Sequence, residues 1–293
     1  MSTEALEGKL LSKVTKTLHT HELVREGDRV MVCLSGGKDS YTMLHLLEQA
    51  RRRWPVKFEL VAVHLDQQQP GYDGAPLRSW LEKSGVAFEI LSEDTYSEVL
   101  ERTPDGGTPC AACSRLRRGI LYTAAQRLGA TRIALGHHRE DTLETFLLNL
   151  VYSGRMQAMP ARYTTDDGRF EVIRPLIECA EADIATFAAS AGFPILPCNL
   201  CGSQKDLKRD AMSALLQQLE TMNPHVRQSM LGALSNVRAT HLLDPEVSLA
   251  WAQRPAHLAA RSQAKETKAR FGALPVHSSV DVLLAPPDIA SRA

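Results

Sequence analysis

The sequence predicts an α/β protein built on a doubly wound, five-stranded parallel sheet, with one helix before it and helices after it. Three observations carry that prediction. Through most of the first 200 of its 293 residues, short apolar runs alternate with amphipathic stretches. The runs are continuous, as in strands covered on both faces, where an antiparallel strand open to water on one side would alternate. Beyond Cys201 only helical periodicity remains.

Each element follows in order. Leu6, Leu10, Leu11, Val14 and Leu18 recur at helical spacing, with Lys9, Lys13 and Lys16 on the polar side, so an amphipathic helix opens the chain. Residues 29–34 form the first strand, 41–53 a Leu- and Met-rich helix that Pro55 helps to end, and 58–65 the second strand. A helix over 76–84 starts with Pro76 in its first turn. The third strand is 87–91, and a Gly-rich loop (104–107) leads to a helix over 114–128. The fourth strand is 132–135, followed by a helix over 142–152; the fifth is 170–176, entering a helix near Glu181. Helices over 207–222 and 226–239 follow. From 252 the chain is rich in Ala, Arg, Lys, Ser and Pro and reads as a flexible tail, with 280–285 its one stretch apolar enough to dock. The expected divisions are 1–27, 28–200, 201–251 and 252–293.

Composition narrows the class. There are 34 basic and 34 acidic residues, so any nucleic-acid contact must come from local patches. No run is apolar and long enough for a membrane span, and the N-terminus lacks a secretory pattern; a cytoplasmic protein without a membrane partner is expected. Four of the six cysteines form two Cys-x-x-Cys pairs, which in a reducing compartment read as metal or redox sites before disulfides.

Ser35-Gly36-Gly37-Lys38-Asp39-Ser40 lies between the first strand and the following helix. Glycines let backbone N–H groups approach phosphate, and the helix start adds open donors and a positive dipole end. Ser35 and Ser40 bring hydroxyls, Lys38 a positive charge, and Asp39 a carboxylate for Mg²⁺. The Walker A spacing is absent. His64 and Asp66 end the second strand, and Gly136-His137-His138-Arg139-Glu140-Asp141-Thr142 follows the fourth. All three stretches fall at carboxyl ends of strands, where open parallel sheets bind ligands.

Cys110-Ala111-Ala112-Cys113 runs into Ser114-Arg115-Leu116-Arg117-Arg118-Gly119, and Cys198-Asn199-Leu200-Cys201 into Gly202-Ser203-Gln204. Each pair presents two thiolates from one turn, which suits Zn²⁺ or an iron–sulfur cluster. A helix start and nearby arginines should favour the Cys113 thiolate. A structural zinc site is the plainer reading of four cysteines, but zinc ribbons keep their pairs much closer. Cys33 and Cys179 read as core.

The hexapeptide resembles the PP-loop of the ATP-pyrophosphatase superfamily, which cleaves ATP between the α- and β-phosphates and adenylates a substrate. Together with both cysteine pairs and Gly-His-His-x-x-Asp, the chain up to about Asp244 resembles the tRNA-cytidine(32) 2-sulfurtransferase family. That resemblance implies ATP bound by residues 35–40 with His64, Asp66 and Gly136, and Mg²⁺ at Asp39 and Asp141. Lys38 and Asp141 would act in catalysis. It implies a [4Fe-4S] cluster on Cys110, Cys113 and one cysteine of the second pair, Cys201 preferred over Cys198. It also implies tRNA as substrate, a sulfur donor such as a cysteine desulfurase, and a homodimer. Arg115, Arg117, Arg118, Lys205, Lys208 and Arg209, with Arg227 and Arg238, are the basic groups that would meet RNA. The rival readings are another adenylating PP-loop enzyme and a zinc-stabilised RNA-binding module without catalysis.

Overall fold

The computed structural model describes residues 2–103, 110–196 and 207–255. Cys198, Cys201 and Lys205, the loop 104–107, and the tail from 256 with its 280–285 stretch lie outside the described residues.

Helix α1 (Thr3–Thr20) starts where the Ser2 side chain accepts the Ala5 N–H, and it buries the predicted leucine and valine face. Then come β1 (Arg29–Cys33), α2 (Lys38–Arg53), β2 (Glu59–Asp66), α3 (Ala75–Ser84), β3 (Ala87–Ser92), α4 (Thr95–Glu101) and α5 (Cys110–Arg127). They are followed by β4 (Arg132–Ala134), α6 (Arg139–Ser153), β5 (Arg162–Thr164), β6 (Glu171–Ile173), α7 (Glu181–Ala191), α8 (Leu207–Met222) and α9 (Val226–Leu234). These belong to one compact unit ending at Ser235. The unit from Asn236 holds a 3-10 turn (Ala239–His241) and α10 (Pro245–Ala252), whose start is capped by Asp244 accepting from Glu246 and Val247.

The strand order is β3-β2-β1-β4-β6-β5. The five strands expected from apolar runs are parallel to their neighbours. The sheet nevertheless has six strands where the runs predict five. The sixth, β5, pairs antiparallel with β6 at the edge. It is three residues long and only partly buried, so no apolar run announces it. Its signal is the turn after it, where Gly168 at φ +71° donates to Thr165 O. Three helices also begin earlier than periodicity suggests, α2 at Lys38, α5 at Cys110 and α6 at Arg139, because first turns without large apolar residues hide a helix start. In addition α9 stops at Leu234, and α4 is an added short helix capped by Asp94.

Two cores sandwich the sheet. Along β1, Val30 and Val32 pack with α1, α2, α3 and α7, while Met31 packs with α5 on the other face. Each fully buried Leu or Val contributes roughly 1.5–3 kcal/mol relative to exposure, which makes the pattern, not any one contact, the source of the fold. A third cluster joins α6 to α8 through Leu143, Leu147, Met212 and Leu216. From β1 the chain winds outward to β2 and β3, then returns to β4 on the other side of β1. The carboxyl ends of β1 and β4 therefore open the crevice at the switch point of the sheet.

Candidate active site

The loop after β1 is built around two serines. Ser40 Oγ accepts the Ser35 N–H at 3.2 Å, donates to Gly37 O at 2.9 Å and meets Ser35 Oγ at 3.2 Å. Gly36 sits at φ +86°, and a Cβ there would meet the Leu196 side chain at 3.0 Å, so glycine is needed for conformation and for space. Leu196 N–H donates to Gly36 O at 2.9 Å. Gly37 is the N-cap of α2, and no side chain caps that helix, so its first N–H groups are left for an anion. Lys38 Nζ lies 3.2 Å from Asp39 Oδ2 and 3.0 Å from Glu181 Oε1. Burial opposes its charge, but the two carboxylates outweigh burial and raise its pKa. Asp39 Oδ1 is buried without a hydrogen-bond partner.

The β4 end closes on this loop. A Cβ on Gly136 would lie 3.3 Å from backbone atoms of Asp39 and Ser40. His138 is the N-cap of α6, and Asp141 Oδ2 accepts its N–H at 3.0 Å. Four carboxylates surround the His138 ring: Asp141 at 3.4 Å, Glu140 at 3.5 Å, Glu181 at 3.8 Å and Asp39 at 4.0 Å. Burial disfavours its charge, yet these neighbours raise its pKa. Nδ1 cannot both accept the Asp141 N–H at 3.4 Å and donate to Glu140. The surrounding negative charge favours protonation of the ring, and a proton on Nδ1 would serve Glu140 in place of the cap. Asp141 has both oxygens engaged, Oδ1 by Arg209 Nη2 at 2.8 Å and Oδ2 by the cap. Arg209 also donates to Glu144 at 3.0 Å, so it is built into the α6–α8 packing.

Beyond this crevice lies a cavity of about 520 Å³ between the sheet and α5, a volume in the range of nucleotide-sized ligands. Ser35, Asp39, Ser40, Gly136 and His137 are among the residues that line it. Val63 and Leu65 line its wall, while His64, between them, points to the other face of the sheet by the alternation of a strand. His64 is buried. Its Nδ1 meets Leu34 O at 2.7 Å and its Nε2 the Tyr72 hydroxyl at 2.7 Å. A carbonyl only accepts, so Nδ1 carries the proton and Nε2 accepts from Tyr72; burial keeps the ring neutral. His64 thus braces the loop from behind. Asp66 Oδ1 accepts the Gln68 N–H at 2.8 Å and shapes the turn after β2.

Helix α5 brings the sulfur. Cys113 is buried and lines the cavity, and its thiol donates to Gln67 Oε1 at 3.4 Å. Thr95 Oγ1 donates to the same oxygen at 3.3 Å. Cys110 opens α5 three residues earlier in the chain. Arg117 and Arg118 line the cavity, and Arg115 is exposed. Lys208 is exposed, with its ammonium 5.0 Å from the Tyr152 ring centroid. Arg227 is ion-paired with Glu220 at 3.1 Å. Cys33 also lines the cavity, and burial pushes its thiol up to about 12; Cys179 is pushed equally high. Gln67, Tyr163 and Arg174 are site residues that motif reading passes over, because each stands alone in the sequence without a recurring neighbour.

Among the described residues no three His, Cys, Asp or Glu side chains form a metal cage. The orphaned Asp39 oxygen nevertheless fits Mg²⁺, which takes most of its ligands from phosphate and water. A buried thiol at the cavity wall, with a second cysteine one helical turn away, is the soft donor chemistry that suits iron.

Fold and loop together define a PP-loop protein, and residues 6–195 match the PP-loop domain family. The chain is 51% identical over 240 residues to the tRNA-cytidine(32) 2-sulfurtransferase of Pseudoalteromonas atlantica, covering 82% of this chain and 76% of that one. It is 53% identical to the protein of the same name from Ectopseudomonas mendocina, covering 76% and 81% of the two chains. The chain belongs to the tRNA-cytidine(32) 2-sulfurtransferase family, as its loop and cysteine pairs suggest. Its fold is similar to that of the U34-tRNA thiolase NcsA from Methanococcus maripaludis, solved with its [4Fe-4S] cluster. That match has a TM-score of 0.62 and 22% identity, and covers 81% of each chain. Among the described residues no helix is long and apolar enough to cross a membrane.

Proposed function

We propose that this chain converts cytidine 32 of tRNA to 2-thiocytidine, using ATP to activate the C2 oxygen and releasing AMP and pyrophosphate. One observation carries the reading: the phosphate loop and Cys113 line the same cavity, so activation and sulfur insertion share one chamber. Family membership supports the substrate.

The C2 oxygen of cytosine is a poor leaving group. It attacks the α-phosphorus of ATP, pyrophosphate departs, and the oxygen becomes part of an adenylate. The loop N–H groups, the Ser35 and Ser40 hydroxyls and Lys38 stabilise the charge on the departing phosphates. Asp39 would hold Mg²⁺, which supplies further charge neutralisation there. Sulfide then attacks C2, and AMP leaves with the original oxygen. Cys110, Cys113 and Cys201 would hold a [4Fe-4S] cluster, whose iron without a protein ligand supplies a place to bind hydrosulfide. The chain leaves the described region at Leu196, bonded to Gly36, and soon after its return Arg209 is bonded to Asp141. Both flanks of the second cysteine pair thus meet the site, which supports a ligand from that pair. Asp141 acts by positioning His138 and Arg209 around the loop. Arg115, Arg117 and Arg118 lead the RNA to the cavity, helped by Lys205 and Lys208, and the target base must leave its stack to enter. Neither ATP nor RNA contains sulfur, so a donor such as a cysteine desulfurase belongs to the reading, as does a homodimer.

The test is anaerobic purification followed by incubation with ATP, a sulfide source and tRNA lacking the modification. A brown protein absorbing near 400 nm that forms 2-thiocytidine, read by mass spectrometry of tRNA digests, is expected. Cys110→Ala should lose the colour and still bind ATP. A colourless protein holding zinc tightly would sink the sulfur-transfer step.

A further inference from the structure

Arg174, just beyond β6, is 8% exposed and opens onto the cavity. Its Nη1 donates to Pro160 O at 2.7 Å and its Nε to His137 Nδ1 at 3.3 Å, and its guanidinium lies 5.1 Å from the Tyr163 ring centroid. Among the described residues no carboxylate is ion-paired with it. Arg132, as deeply buried one strand away, has two carboxylates, Asp28 and Glu171. Asp141 is near enough to favour its charge, but burying a guanidinium with no directly bonded carboxylate is costly, so Arg174 stands out as half of an ion pair. His137 cannot be the other half. Burial and the neighbouring guanidinium push its pKa down to about 4, so it is neutral and accepts at Nδ1. Asp141 has both oxygens engaged elsewhere.

Position identifies the missing anion. Gly136 packs against the Asp39–Ser40 backbone, His137 follows it, and Arg174 is bonded to His137 and lines the same cavity as Ser35, Asp39 and Ser40. Arg174 therefore extends the donor row of the phosphate loop across the crevice. On the ATP reading, the loop's own donors hold the two departing phosphates. A guanidinium has five N–H groups. Even with the Tyr163 hydroxyl as a further acceptor, two remain for a bidentate contact.

We propose that Arg174 is a phosphate subsite for the part of the nucleotide that stays with adenosine: it pairs with the α-phosphate and retains AMP after pyrophosphate has left. This rests on the ATP reading of the cavity. A backbone phosphate of the tRNA offers the same anionic oxygens, and the measurement separates the two sources.

The experiment titrates the intact protein with ATP, AMP, adenosine, pyrophosphate and unmodified tRNA by calorimetry or filter binding, comparing wild type with Arg174→Gln. AMP affinity is expected to fall by about tenfold or more, while adenosine, pyrophosphate and tRNA affinities stay within about twofold. Equal AMP affinity in a folded Arg174→Gln protein overturns the proposal, and so does a loss confined to tRNA. If Arg174→Gln does not fold, Arg174→Lys decides: it keeps the charge but loses the fork, so weaker AMP binding with unchanged adenosine binding supports the subsite. Unchanged AMP binding in that variant overturns it. If wild type binds neither AMP nor ATP, the ATP reading itself falls.

Discussion

Asp39 and Asp141 are both first-turn carboxylates near the crevice, yet their surroundings give them different work. Asp39 keeps a buried oxygen without a hydrogen-bond partner, whereas Asp141 spends both oxygens on the cap and on Arg209. Asp39→Asn should therefore lower ATP-dependent pyrophosphate release by about 100-fold or more with the fold intact; a loss under tenfold would remove Asp39 from phosphate chemistry. Glu140 makes a second case. Burial raises its pKa, but bonds from His138, the Glu181 N–H and Arg139 outweigh burial and bring it down to about 2. A folded pKa below the unfolded value adds stability that is present above the unfolded pKa, near 4.5, and lost as pH falls toward 2. Glu140→Gln should cost on the order of 2–3 kcal/mol at pH 7 in urea unfolding, and the difference should shrink from pH 4.5 toward pH 2. The loop residues 35–40 are legible in sequence because six adjacent residues share one task. Gln67 and Arg174 are not, since Gln67 matters only once folding brings Cys113, 46 residues away, against its amide.

Elements are placed by close backbone contacts that no apolar pattern reveals. The parallel strands are readable because their runs are buried on both faces, but β5 is half-exposed and rests on a turn. Glycine shows how the crevice is set. A methyl at Gly136 meets backbone atoms at 3.3 Å that cannot swing aside, so the start of α2 must move off the end of β4. Gly119, in the interior of α5, has nothing within 4 Å of the same methyl. Gly136→Ala should destabilise by about 1–2 kcal/mol and slow adenylation by roughly tenfold or more, because a small misplacement of the loop is felt at the reacting phosphate. Gly119→Ala should instead stabilise by about 0.5–1 kcal/mol with activity retained. Thermal unfolding and turnover of the two variants side by side separate a positional effect from a general one.

At the scale of the molecule, charge decides how RNA is held. With 34 basic and 34 acidic residues the chain has no overall field to draw a polyanion. Many basic groups are also already committed: Arg209 to Asp141 and Glu144, Arg227 to Glu220, Arg132 to Asp28 and Glu171. The basic groups on α5 differ, since Arg115 and Arg118 are exposed on the helix that carries Cys113. Affinity for tRNA should therefore come from few phosphate contacts and show a shallow salt dependence. Each contact to a single-stranded phosphate contributes roughly 0.7 to the slope of log K against log salt. Replacing Arg115 and Arg118 together by alanine should lower that slope by about 1.4 and weaken tRNA binding. ATP-dependent chemistry within the cavity should persist at saturating tRNA, because neither substitution touches the phosphate loop. Filter binding across a salt series reads the slope, and an unchanged slope would show that RNA approaches from another face.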